Sequence, residues 1–213
     1  MKTEDEIAVK IADFLLEIKA VILRPEEPFT WASGWRSPVY CDNRLLLSYP
    51  EIRNYVESQF CYKISADFPN AEAIAGVATA GIPHAAIIAN QMNFPLAYVR
   101  SKKKEHGTGS LIEGRLEKRQ RVVVIEDLVS TGKSSIEAIT ALREADVDVL
   151  GLLSIFSYNF PVAAANFSSA SVKAFSLTSF PVLIQRAVAR NYIKSEMLET
   201  LEEWRDNPAS WGR

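Results

Sequence analysis

Apolar and polar positions along this chain change period from block to block, and the blocks predict helices and strands in alternation. Thr3 followed by Glu6 is a capping-box pattern. Ile7, Ile11, Phe14, Leu15 and Ile18 then mark one face of a helix that ends near Val21. Pro25 and Pro28 break the chain after it. The stretch from Phe29 to Asn43 is aromatic and punctuated by glycine, which predicts a compact hairpin or lobe. A second helix is expected over 50–64. Short apolar runs at 73–77, 96–99, 122–125, 147–155 and 172–177 predict strands, with helices over 81–91 and 134–145 and a helical stretch between the last two strands. Helices are also expected over 182–190 and 193–206, the last with Ile193, Met197, Leu201 and Trp204 on one face.

Strands alternating with helices predict an α/β fold whose parallel sheet is covered on both faces. The length, 213 residues, fits one domain: a small lobe drawn largely from 1–45, a core over about 50–180 and C-terminal helices over about 182–206. Hydrophobic residues make up 48% and charged residues 23%, the balance of a soluble globular chain. A net charge of −2 gives a nucleic-acid partner no bulk electrostatic support. The polar, acidic start does not resemble a signal peptide, and no apolar run approaches the ~18 residues of a membrane span. Cys41 and Cys61 have no metal-type or redox spacing, so free thiols in a reducing cytoplasm are expected.

The segment Val122 to Ser135, VVVIEDLVSTGKSS, carries the most chemistry. Four β-branched residues lead to two adjacent acids, then to a small polar loop and a helix start. Ligands of open α/β sheets sit at the carboxyl ends of the strands, and a helix start offers unpaired N–H groups to an anion. The ending Gly132-Lys133-Ser134 looks like a P-loop, but that pattern needs glycine where Asp127 stands. A plain strand–turn–helix accounts for the valines and the glycine, though not for two acids at a strand end. The segment therefore predicts a phosphate and a polyhydroxyl group held side by side.

This pattern resembles the phosphoribosyl-diphosphate (PRPP) loop of the type I phosphoribosyltransferases: four apolar residues, Glu126-Asp127, Leu128-Val129, then Ser130-Thr131-Gly132. The resemblance implies that fold, a central parallel sheet flanked by helices with a small N-terminal hood. It implies that Glu126 and Asp127 meet the ribose hydroxyls, with Asp127 catalytic. Leu128, Val129, Ser130, Thr131, Gly132, Lys133 and Ser134 would cradle the 5′-phosphate. Lys133 stands where small residues are common, so its cation could face phosphate or solvent.

Three further segments are similar to the orotate branch of that family. Gly76-Val77-Ala78-Thr79-Ala80-Gly81-Ile82-Pro83 resembles the loop set against pyrophosphate, with Ala80 where some relatives carry lysine. By composition alone it is a tight turn of small residues. Arg100-Ser101-Lys102-Lys103-Lys104-Glu105-His106-Gly107-Thr108-Gly109 is a charge run of the kind that usually forms a solvated face. It resembles the branch's flexible catalytic loop, which reaches into the neighbouring subunit. That likeness implies that Arg100, Lys103, Lys104 and His106 contact PRPP, with Lys104 and His106 catalytic. His84 has no such company and reads as structural. Phe29-Thr30-Trp31-Ala32-Ser33-Gly34-Trp35-Arg36-Ser37-Pro38 resembles the hood over the base, with Ala32 where some relatives carry a PRPP-contacting lysine.

The resemblance implies transfer of a phosphoribosyl group from PRPP to orotate, Mg2+ bound alongside PRPP with no protein metal ligand assigned, and a homodimer sharing the lid loop. Ser130 is the candidate orotate contact. The arginine that some relatives carry for the orotate carboxylate is missing from Phe156-Ser157-Tyr158-Asn159. Two other readings stay open: a phosphoribosyltransferase for another base, and a PRPP-sensing regulator without catalysis. The lid and hood sequences favour orotate over the first, and the net charge gives the second no encouragement.

Overall fold

The computed structural model describes residues 3–31, 34–102 and 110–212. The chain runs through α1 (Glu4–Glu17), β1 (Val21–Leu23), β2 (Phe29–Thr30), β3 (Arg36–Ser37), β4 (Val39–Cys41), a 3-10 turn (Asn43–Ser48), α2 (Pro50–Asp67), β5 (Ala73–Val77), α3 (Gly81–Met92), β6 (Leu96–Val99), β7 (Ile112–Glu113), β8 (Arg121–Val129), α4 (Lys133–Glu144), β9 (Asp148–Ser157), α5 (Pro161–Ser169), β10 (Ala174–Ser179), α6 (Phe180–Ala189) and α7 (Met197–Asp206). The capping box closes α1: Glu6 N donates to Thr3 Oγ1 at 3.2 Å and Thr3 N to Glu6 Oε2 at 2.9 Å.

The main sheet has six strands in the order β10-β9-β8-β5-β6-β7, all parallel except β7, which pairs antiparallel with β6. Both faces are buried, so strand residues split by parity between two cores. Val123, Ile125, Ile74, Leu153 and Ile155 face α1, α2, α3 and α6, meeting Ile11, Leu15, Phe60, Ile64, Ile88 and Leu183. Val122, Val124, Ala75 and Leu152 face α4 and α5, meeting Ile139, Leu142, Ala163 and Phe167. This is why Val122–Ile125 is an unbroken apolar run rather than an alternating one.

Three readings of the sequence shift here. β8 does not stop at Ile125 but continues through Glu126, Asp127 and Leu128 to Val129, because β9 runs alongside and pairs Glu126 with Ser154 and Leu128 with Phe156. The strand expected at 172–177 begins at Ala174 and ends at Ser179. The last helix starts at Met197, with Leu201 and Trp204 buried and Ile193 only half-buried ahead of it.

Two contacts bind the ends of the chain to the core. Asp13 of α1 receives Arg186 Nε at 2.9 Å and Arg190 Nη2 at 2.9 Å. Burial works to raise that carboxyl, but the two guanidiniums outweigh it and hold it below its ordinary value. Trp204 of α7 sits edge-on to Tyr158 (5.5 Å), Phe160 (5.3 Å), Phe180 (5.3 Å) and Trp31 (5.6 Å). Its indole N–H donates to the Arg36 carbonyl at 3.2 Å, and Trp31 donates to the Val39 carbonyl at 3.0 Å. The N-terminal hairpin is thereby tied to the chain leaving β9 by a residue from the last helix.

Trp204→Ala would open a cavity in this cluster and strip the Arg36 carbonyl of its donor. Urea unfolding followed by far-UV circular dichroism should show a loss of about 3–5 kcal/mol; a loss below about 1 kcal/mol would contradict the tie.

Candidate active site

The site lies where β5, β6 and β8 end. Beyond Val129, the chain turns through Ser130, Thr131 and Gly132 into α4. Gly132 has φ +77°, and a Cβ there would lie 2.8 Å from Phe167 Cζ, so both backbone and space call for glycine. Asn166 of α5 donates to the Thr131 carbonyl at 2.9 Å and holds the turn from below. The first N–H groups of α4 have no side-chain cap, which leaves them free for an anion. Ser130 and Thr131 are half-buried and Ser134 is exposed. Val129 is buried in the α4/α5 core and Leu128 packs on the opposite core, so these two can contribute to a ligand through backbone only. Lys133 points its side chain into solvent, 82% exposed, with its ammonium 4.0 Å from Glu137.

The two acids are not equivalent. Asp127 is half-exposed, whereas Glu126 is 5% exposed. Glu126 is held inward: Asp127 N donates to its Oε1 at 3.1 Å and Ser135 Oγ to its Oε2 at 3.3 Å. Burial first, and the Asp127 charge second, push the Glu126 carboxyl up to about 9. Neutral Glu126 can therefore donate a hydrogen bond as well as accept one.

The second loop packs directly against this pair. A Cβ on Gly81 would lie 2.5 Å from the Ile125 carbonyl oxygen and 3.3 Å from Glu126 Cα. The loop carries a cis Ala78–Thr79 peptide, and Ala78 N donates to the Val99 carbonyl at 2.9 Å. Arg100 follows β6, its guanidinium 3.5 Å from Glu113 and its main-chain N–H bonded to the Leu111 carbonyl at 2.9 Å. These contacts pin the stem of the charge run. Lys103, Lys104 and His106 lie outside the described residues. A cleft of about 350 Å³ lies between this second loop, the Arg100 stem and the flank of α4, lined by Val77, Ala78, Arg100, Ser101, Ser134 and Glu137.

His84 is buried in α3, its Nδ1 2.6 Å from Glu57 Oε1 of α2, away from any described loop contact. Several site contacts carry no motif: Ser135 on Glu126, Asn166 on Thr131, and Asn43, which donates to the Asp127 carbonyl at 2.8 Å. Ser135 lies just past the loop pattern and was within reach of the sequence. The other two depend on elements distant in the chain. Among the described residues no group of three or more His, Cys, Asp and Glu could hold a metal by itself.

An acidic pair near the end of a central parallel strand, an uncapped helix start beyond it and a glycine loop pressed against it match the arrangement expected of a type I phosphoribosyltransferase. Residues 56–164 match the family model for the phosphoribosyl transferase domain. The orotate phosphoribosyltransferase of Cytophaga hutchinsonii is 53% identical over 202 residues, covering 95% of this chain and 97% of that protein. The solved orotate phosphoribosyltransferase of Aeropyrum pernix superposes with a TM-score of 0.74 at 31% identity, covering 83% of this chain and 97% of that one. The UMP synthase of Leishmania donovani superposes with a TM-score of 0.78 at 30% identity over 93% of this chain, which spans 42% of that longer protein. The chain belongs to the orotate phosphoribosyltransferase family.

The raised Glu126 carboxyl gives a stability signature. The folded chain keeps a proton on Glu126 that the unfolded chain releases above its ordinary 4.5. This contribution is fully present below the unfolded value and is lost as pH rises toward the folded value near 9. Glu126→Gln removes the titration. Its melting temperature relative to wild type should therefore climb between about pH 5 and about pH 9, by at least about 1 kcal/mol or about 2–4 °C. Parallel melting profiles across that range would contradict the assignment.

Proposed function

We infer that this chain transfers the 5-phosphoribosyl group of PRPP to orotate, giving orotidine 5′-monophosphate and pyrophosphate for UMP biosynthesis. The observation that carries this reading is the acidic pair of β8 abutted by the Gly81 loop, in a chain aligned along nearly its whole length with an orotate phosphoribosyltransferase.

Cleavage at the anomeric carbon builds positive charge on the ribose while pyrophosphate departs with added negative charge. Asp127 presents its carboxylate to the ribose hydroxyls and favours the cationic sugar, and Glu126 supports it from below. The N–H groups at the start of α4, with Ser130, Thr131 and Ser134, hold the 5′-phosphate. The backbone between Gly76 and Pro83 approaches the diphosphate. Orotate's own ring nitrogen attacks, so no protein nucleophile is needed. Ser130 is the residue we assign to contact orotate.

Magnesium keeps several waters and is held through one or two carboxylates together with substrate phosphates. Asp127 offers such a carboxylate beside the diphosphate loop. When bound, the ion supplies positive charge beside the leaving group. The lid residues Arg100, Lys103, Lys104 and His106 act on the same diphosphate, the loop being shared across the subunits of a homodimer working in the cytoplasm. No helix among the described residues is long and apolar enough to cross a membrane.

The direct test incubates purified protein with PRPP, Mg2+ and orotate, following loss of orotate absorbance and appearance of pyrophosphate, with adenine, hypoxanthine and uracil in parallel. Turnover on orotate alone is expected; turnover on another base, or none, would overturn the assignment. Lys104→Ala should lower kcat about a hundredfold while the KM for PRPP moves less than about threefold. An unchanged kcat with weakened PRPP binding would remove the lid from the chemical step.

A further inference from the structure

Asn43 stands outside every motif of the family pattern, yet its side chain touches the residue at the centre of the site. It opens the 3-10 turn that follows the N-terminal hairpin, and it is 1% exposed. Its Nδ2 donates to the main-chain carbonyl of Asp127 at 2.8 Å. β8 makes its last pairing with β5 at Ile125, so this carbonyl belongs to the part of the strand that has outrun its neighbour on that side.

The chemistry fixes the orientation of the amide. A carbonyl only accepts, so the nitrogen of Asn43 must face Asp127. Oδ1 is then left for Cys41, whose Sγ lies 3.3 Å away and donates. Desolvation, with the carboxylates of Asp127 and Asp42 nearby, pushes the Cys41 thiol well above its ordinary range and keeps its proton in place. Asn43 is not needed for its own turn. That turn is capped by Asp42, whose side chain accepts from Arg44 N at 3.2 Å. Both ends of the Asn43 amide are used in a bridge from the hood to the end of β8.

We propose that Asn43 is a positioning residue for phosphoribosyl transfer: it fixes the Asp127 main chain and so sets where the Asp127 carboxylate meets the ribose. This rests on the ribose-binding reading of Asp127 given above. Removing the donor leaves a desolvated carbonyl to find another partner, and the peptide that carries the carboxylate turns with it. A small displacement of a substrate-positioning group costs rate out of proportion to its size.

The test separates the sugar from the diphosphate. Asn43→Ala removes the bridge, and Asn43→Asp keeps the shape but loses the donor. Binding of ribose 5-phosphate and of metal-free pyrophosphate is measured by calorimetry, well below each variant's melting temperature, beside steady-state kinetics. Both variants should bind ribose 5-phosphate about tenfold to a hundredfold more weakly and lose kcat to a similar extent, with pyrophosphate binding within about twofold of wild type. Equal loss for both ligands, no loss for either, or failure of both variants to fold would overturn the proposal and leave the bridge a stability contact. Wild-type protein that does not bind ribose 5-phosphate would instead overturn the ribose reading beneath it.

Discussion

A side chain of any size on Gly81 would collide with the Ile125 carbonyl, since a Cβ there has only 2.5 Å of room. That close approach sets the geometry of the whole site. It brings the first turn of α3 against the strand that carries Glu126 and Asp127, so the glycine loop and the acidic pair become one surface. The demand spreads outward. β8 must be straight and buried on both faces to hold its end still, which the valine run and the two cores on either side of it provide. Gly132 makes the matching demand on the other side, where Phe167 fills the space below the phosphate turn.

The electrostatics follow from the same crowding. Pressing a loop onto the strand end desolvates Glu126, which responds by holding its proton, while Asp127 keeps contact with solvent. Two adjacent acids thus become one internal hydrogen-bonding group and one outward carboxylate. Lys133, the cation nearest in sequence to the acids, is turned away toward Glu137. The uncapped start of α4 offers an anion aligned dipoles that need no counter-ion of their own.

The sequence was most informative where one local pattern was enough to specify an element. Thr3 and Glu6 form the helix start that their spacing predicts, Pro50 opens α2, and Val122–Ile125 is a strand buried on both sides. It fell short where a neighbour distant in the chain decides the outcome. The apolar run alone predicts a strand over 122–125 with the acids at its end; Ser154 and Phe156 of β9 are what carry it on through Glu126, Asp127 and Leu128 to Val129. β7, two residues long, exists only because β6 offers it an edge. The Asn43–Asp127 bond joins residues 84 positions apart and has no periodicity to betray it. Ile193 was assigned to the last helix on spacing alone, but the helix starts at Met197, after a turn.

Trp204 gives the structure a direction in time. The hairpin that overhangs the strand ends is secured by an indole carried on the final helix, more than 160 positions downstream of the Arg36 carbonyl it binds. A chain emerging from the ribosome can assemble β5 through β10 and both phosphate loops while that hairpin still lacks its anchor. The sheet and its two strand-end loops would then stand under an unsecured roof until the last helix docks. Securing of the hairpin is thus deferred until α7 is in place, although the hairpin is among the first segments made.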